Sequence, residues 1–179
     1  IHATLASIIM NSINQPAVAW YLFRHALATH SIHGYGDQIL SAQILPEGIG
    51  AIEKMARFLS RVSESINFTS NYIRCQQTAE IITKISGKHF TLDRRITEYY
   101  QNTFVEFHDR VKNFMETVSK TAASPVLVCT HGAVIAGMKH LILTGEFGES
   151  DLLDYPLCGQ LLIIKNKDAE LVDFNSKVI

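Results

Sequence analysis

Ala17-Val18-Ala19-Trp20-Tyr21-Leu22-Phe23-Arg24-His25-Ala26 runs from seven apolar or aromatic residues straight into a guanidinium and an imidazole. An apolar run with no polar alternation is the pattern of a strand buried on both faces, as in parallel sheets covered by helices. Its polar end sets Arg24 and His25 at the carboxyl edge of such a sheet, where open α/β folds bind ligands. An isolated Arg-His pair is also what a strand fraying into solvent looks like. Two further strand-like runs end in the same chemistry, and they argue for a site.

On the amino-terminal side, Gln15-Pro16 breaks the chain before the strand. Ile1–Gln15 is mildly apolar, has no basic flank and reads as a short helix or arm outside the motif-bearing region, not as a signal peptide. On the other side, Leu27–Ala42 is rich in Thr, Ser, His and Gly, and is long and polar enough to border a site. Pro46 suits the first turn of a helix in which Ile49, Ile52, Met55, Ala56 and Leu59 recur at helical spacing to about Val62. Ile66–Ser70 reads as a short strand and Tyr72–Ser86 as a helix ended by Gly87. Phe104–Val118 is an amphipathic helix with Phe107, Val111, Phe114, Met115 and Val118 on its apolar stripe. Pro125–Cys129 is a second buried strand, broken by Thr130-His131-Gly132 before a helix over Ala133–Leu143. Gln160–Lys165 and Glu170–Phe174 flank Asn166-Lys167-Asp168 as an edge hairpin. This alternation predicts an α/β fold of three layers, α/β/α, with a mainly parallel central sheet, in one domain over residues 1–179.

Composition narrows the function. The formal net charge of −1 supplies no field for nucleic acid or an acidic membrane surface, and no apolar run is long enough to span a bilayer. Cys75, Cys129 and Cys158 are odd in number, widely spaced and free of any CxxC pair. That pattern points to reduced thiols in a cytoplasmic protein and away from a disulfide framework or zinc knuckle. His2, His33, His89 and His140 are scattered singly and form no metal-ligand spacing, so no metal or cofactor is expected.

Three predicted strand ends then converge. The first delivers Arg24 and His25. The Phe68 strand delivers Ser70 and, just inside the following helix, Arg74. The Val128 strand delivers His131 and Gly132, whose backbone N–H at a helix start can face an anion. Two arginines and two histidines on one edge make a donor-rich cationic pocket suited to a phosphoryl group, and an imidazole is a competent nucleophile toward phosphorus.

The same residues resemble a known family. Leu22-Phe23-Arg24-His25-Ala26 is similar to the Arg-His-Gly signature of the histidine phosphatase (phosphoglycerate mutase-like) superfamily. Leu45-Pro46-Glu47-Gly48 is similar to its Leu-Thr-x-x-Gly element. Ser70-Asn71-Tyr72-Ile73-Arg74-Cys75-Gln76-Gln77-Thr78-Ala79 is similar to its Ser-Pro-x-x-Arg-x-x-Gln-Thr-Ala element. Ile96-Thr97-Glu98 is similar to a Leu-x-Glu element and Thr130-His131-Gly132 to a late His-Gly. The matches come in the family's order over about Tyr21 to Ile142.

The resemblance implies a phosphoglycerate mutase-like fold and a division of labour. His25 attacks phosphorus and becomes a phosphohistidine. Arg24 and Arg74 clamp the equatorial oxygens, His131 donates to them as charge grows, and Glu98 protonates the leaving oxygen. Glu98 then needs a raised pKa; otherwise it is a solvated loop carboxylate. Four departures from the pattern stand out. Ala26 replaces the signature Gly and adds a methyl near the phosphate, and Asn71 replaces Pro. Ser31 stands where many members place an Asn, as a weaker phosphate ligand. Tyr99-Tyr100-Gln101-Asn102 runs on where a Gly-x-Trp-Glu-Gly lid element often follows. His108-Asp109 is similar to another branch's donor pair, but it falls inside a helix pattern and is assigned no role.

The expected activity is hydrolysis of phosphate monoesters or phosphoramidates on a small molecule or a phosphoprotein. A mutase using the same pocket and a non-catalytic phosphate-binding scaffold remain the alternatives. The chain lacks the long insertions of family mutases, and all four pocket residues are present, which weighs against the scaffold. Oligomeric state is not encoded in any motif.

Overall fold

A computed structural model describes residues 18–29, 36–123 and 125–176. Its elements in chain order are β1 (Trp20–Arg24), α1 (Pro46–Leu59), β2 (Ile66–Thr69), α2 (Ile73–Ser86), β3 (Thr91–Leu92), α3 (Phe104–Thr121), β4 (Val126–Thr130), α4 (Gly132–Thr144), β5 (Gln160–Lys165) and β6 (Asp168–Asp173). The strands form one sheet in the order β3-β2-β4-β1-β5-β6. Strands β1, β4, β2 and β3 run parallel, whereas β5 is antiparallel to β1 and β6 antiparallel to β5. The sheet is therefore mixed, with its parallel half carrying the strand ends of interest.

The period-2 alternation of β1 explains the three layers. Tyr21 and Phe23 face α1 and α2, packing with Leu127, Cys129, Leu161, Ile52, Met55, Leu59 and Ile82. Trp20 and Leu22 face α3 and α4, packing with Val126, Val128, Phe107, Val111, Phe114, Val134 and Ile135. A strand with both faces buried cannot alternate apolar with polar, which is why Trp20–Phe23 reads as an unbroken apolar run. The Phe107 stripe of α3 is buried as its spacing predicts, and that helix starts on a capping box between Thr103 and Glu106. Gly87 ends α2 in the left-handed region at φ 74°, and Asn166-Lys167 turn the β5–β6 hairpin with φ of 49° and 67°.

The structure shifts several sequence boundaries. Thr130 belongs to β4, α4 begins at Gly132, α3 runs on to Thr121, α1 stops at Leu59, and β6 spans Asp168–Asp173. The two-residue β3 carries no readable pattern and was not predicted. Ile1–Gln15 and Ser31 lie outside the described residues. Among the described residues, no helix is long and apolar enough to cross a membrane.

One contact ties α1 to the end of β1. A β-carbon placed on Gly48 would lie 2.8 Å from the backbone nitrogen of Leu27, two residues after His25. Leu45 N–H also donates to the Leu27 carbonyl at 2.7 Å. Gly50, one helical step on, has nothing within 4 Å of such a β-carbon. Gly48→Ala should therefore cost about 1–3 kcal/mol through overpacking, whereas Gly50→Ala should gain up to about 1 kcal/mol through helix propensity. Urea unfolding of the two variants checks this; equal stabilities would show that the Leu27 contact constrains nothing.

Candidate active site

Parallel pairing brings three strand ends to one edge. His25 N–H donates to the Thr130 carbonyl at 3.1 Å and Ser70 N–H to the Cys129 carbonyl at 3.0 Å, so the ladder extends just past β1 and β2. The residues at those ends sit side by side: His25, Ser70, Arg74, Thr130 and His131 are all buried with no exposed surface. The His25 and His131 ring centroids are 5.5 Å apart.

The His25 ring is oriented from within its own turn. Its Nδ1–H donates to the Ala26 carbonyl at 2.7 Å. A ring that donates from Nδ1 in the neutral state carries its lone pair on Nε2. The turn is braced by Thr78, whose hydroxyl accepts from Ala26 N–H at 2.9 Å and donates to the Arg74 carbonyl at 2.7 Å. Ala26 itself packs into the hydrophobic cluster between the sheet and α1/α2. The methyl that replaces the signature hydrogen is thus a core group.

Arg74, in the first turn of α2, is held at both terminal nitrogens. Nη1 donates to the Ile39 carbonyl, and Nη2 lies 3.2 Å from His131 Nδ1 and 3.6 Å from Glu98 Oε2. A guanidinium has no lone pair to offer, so His131 Nδ1 accepts from it and the His131 proton sits on Nε2, which meets Ser70 Oγ at 2.8 Å. Ser70 also accepts from Tyr72 N–H at 3.3 Å. Ser70, which the sequence offers as a substrate contact, here orients His131 and the start of α2. Arg24 stacks its guanidinium 4.9 Å over the Tyr155 ring, and its buried Nε has no hydrogen-bond partner among the described residues. Tyr155 also explains Gly132: a β-carbon there would lie 2.7 Å from the tyrosine ring, with the amide of Gly132 opening α4.

Glu98 comes to the same place by a different route. It follows a short 3-10 turn, its Oε1 accepts from Tyr99 N–H at 3.1 Å, and its Oε2 lies 3.4 Å from His131 Nδ1. Burial pushes its carboxyl above the usual carboxylate range, opposed by the charges of Arg74, Arg24 and Arg110 and by the Tyr99 amide. Burial, together with Arg74 and Arg24, pushes His25 well below the ordinary imidazole value. Burial, His25 and the same arginines do so for His131. Both shifts favour the neutral imidazole. His108 and Asp109 bond to each other at the surface of α3, and His108 stacks on Phe147.

Thr78, Tyr155 and Arg110 were missed as contributors to this edge. Thr78 lies within the quoted Gln-Thr-Ala element and was within reach of sequence reasoning. Tyr155 and Arg110 stand in segments with no motif, and only the folded chain brings them in.

Residues 20–101 match the histidine phosphatase superfamily (branch 1). No curated protein sequence matches the chain. The alpha-ribazole phosphatase from Shigella flexneri has a similar structure, with a TM-score of 0.71 at 16% identity over 90% of this chain and 98% of that one. The phosphoglycerate mutase from Bacillus anthracis gives a TM-score of 0.65 at 14% identity over 89% and 95%. A mycobacterial glucosyl-3-phosphoglycerate phosphatase gives 0.66 at 14% identity over 82% and 89%. These likenesses establish a phosphoglycerate mutase-like fold.

The neutral histidines set a pH dependence of stability. In the unfolded chain each imidazole takes up a proton below about pH 6.5, and in the folded pocket it does not. The folded state therefore loses stability as pH falls below that value, by up to about 1.4 kcal/mol per pH unit for each histidine. Glu98 acts in the opposite sense just above the ordinary carboxylate range, where the folded carboxyl binds a proton first. Thermal midpoints in phosphate-free buffer should fall from pH 7 to pH 5.5, and less steeply in His131→Asn. A flat wild-type profile would mean that a pocket histidine is already charged.

Proposed function

We propose that this chain, whose residues 20–101 match the histidine phosphatase superfamily (branch 1), is a metal-independent phosphatase acting on phosphate monoesters or phosphoramidates. The observation that carries this reading is the His25 Nδ1–H bond to the Ala26 carbonyl, which leaves a nucleophilic Nε2 beside two guanidiniums.

In the first step, the Nε2 lone pair forms a bond to phosphorus as the phosphorus–leaving-atom bond breaks. Glu98 gives its proton to the leaving atom. Arg24 and Arg74 hold the phosphoryl oxygens. An entering phosphate dianion makes protonation of His131 favourable, turning its Nδ1 into a donor toward the same oxygens. In the second step, water attacks phosphorus, Glu98 takes a proton from it, the P–N bond breaks, and phosphate leaves with His25 neutral again. Phosphoryl transfer asks chiefly for positioning and electrostatic stabilisation, and this pocket supplies both. The expected substrate is a small phosphorylated molecule or a phosphoprotein. Assignment to the cytoplasm is part of the same reading, supported by three unpaired cysteines.

The covalent step is the test. A P–N bond survives base and is lost in acid, so brief reaction with p-nitrophenyl phosphate and an alkaline quench should trap a phosphoenzyme labelled at His25. His25→Ala should abolish label and turnover together. His131→Ala should keep the label and slow turnover roughly 10²–10³-fold, as the loss of a single oxyanion donor does. Activity should survive chelation. Label that persists in His25→Ala and maps elsewhere would overturn the role of His25, and activity lost with chelator would overturn metal independence.

A further inference from the structure

Arg110 lies on α3, one turn after the capping Glu106, where an arginine would ordinarily be solvated. Its side chain instead crosses back to the segment that precedes the helix. Nη1 donates to the Arg95 carbonyl at 2.7 Å and Nη2 to the Glu98 carbonyl at 2.8 Å. The guanidinium lies 4.7 Å over the ring of fully buried Phe107, and Tyr99 packs on that same ring at 4.7 Å. One planar fork therefore spans the loop from residue 95 to residue 98 and rests on the α3 core.

We infer that Arg110 is a positioning residue for the acid: it fixes the backbone of Glu98 so that the carboxyl reaches His131 Nδ1 and Arg74 Nη2. The inference rests on reading Glu98 as the proton donor. It accounts for how the loop is held where Tyr99-Tyr100-Gln101-Asn102 replaces the usual lid element. The groups facing Glu98 are Arg74 on α2, His131 at the head of α4, Arg24 on β1, Tyr72 before α2, the Tyr99 amide and Arg110 itself. Its charge joins those of Arg74 and Arg24 in opposing the rise that burial imposes on the carboxyl. Losing Arg110 thus has two separable consequences. The loop loosens, and the acid holds its proton to higher pH.

The experiment compares an alkyl phosphate, whose departure needs a proton, with p-nitrophenyl phosphate, whose departure does not. Arg110→Met should lower kcat on the alkyl phosphate roughly 10- to 100-fold, as mispositioning does. On the activated ester the loss should stay below about threefold. The alkaline limb of its kcat–pH profile should also move to higher pH. Arg110→Lys should return that limb toward wild type while leaving the alkyl phosphate slow, because a point charge cannot bridge two carbonyls as a fork does. If Arg110→Met does not fold, the selective loss in Arg110→Lys carries the test. Glu98→Gln serves as the reference. If Glu98→Gln shows the selective loss and the Arg110 variants lose both substrates equally, or neither, the positioning role is wrong and the acid stands. If Glu98→Gln itself shows no selectivity, the acid assignment fails and the inference fails with it.

Discussion

A guanidinium with no exposed surface sits where three parallel strands end. Burying a charge is costly unless it is paired and hydrogen-bonded, and Arg74 meets that demand with the Ile39 carbonyl, His131 Nδ1 and Glu98 Oε2. Each partner comes from a different part of the chain: the segment after β1, the end of β4 and the loop before α3. Satisfying one buried cation therefore aligns three segments that are far apart in sequence. Losing one of these partners would leave Arg74 with a buried donor less well satisfied, so the arrangement resists piecemeal change.

The same charge governs the protonation of its neighbours. Together with burial, Arg74 and Arg24 keep His25 and His131 neutral, and a neutral imidazole is what attack on phosphorus needs. Glu98 feels the two influences in opposition: burial raises its pKa and the arginines restrain the rise. Burial thus pushes the carboxyl up and the imidazoles down, while the arginines lower all three.

Much of this was legible in the sequence because it is local. Trp20–Phe23 announced a strand buried on both faces, Gly87 announced a helix end, and the Phe107–Val118 stripe announced a half-buried helix. Those signals depend on residues within a turn or two of one another. Arg24, His25, Arg74 and His131 were legible because each sits at the end of such an element, and parallel strands must end on one edge. What was not legible depends on long-range packing. Ala26 was read as a group near phosphate because its number is next to His25; it lies past the end of β1, where the chain departs from the strand's alternation, and its methyl packs in the α1/α2 core. Ser70 was legible as the end of a strand, but the bond its hydroxyl makes with His131 across 61 positions of sequence was not. The antiparallel placement of β5 and the short β3 leave no pattern that distinguishes them from parallel or loop segments.

The mixed sheet has a consequence for the pocket. Had β5 followed β4 as another parallel strand, its approach would have come along the opposite edge. Because β5 runs antiparallel beside β1, the chain must return to the carboxyl edge before entering it, and Tyr155 lies on that return. Its ring closes over Arg24 on one side and lies against Gly132 on the other. A guanidinium under an aromatic face is held by cation–π attraction and is partly screened from water, both of which orient its donors before any ligand arrives. Among the described residues the Nε of Arg24 has no hydrogen-bond partner, and the Tyr155 ring packs on the guanidinium. The antiparallel half of the sheet thus acts on the pocket indirectly, by fixing the path along which Tyr155 reaches the arginine.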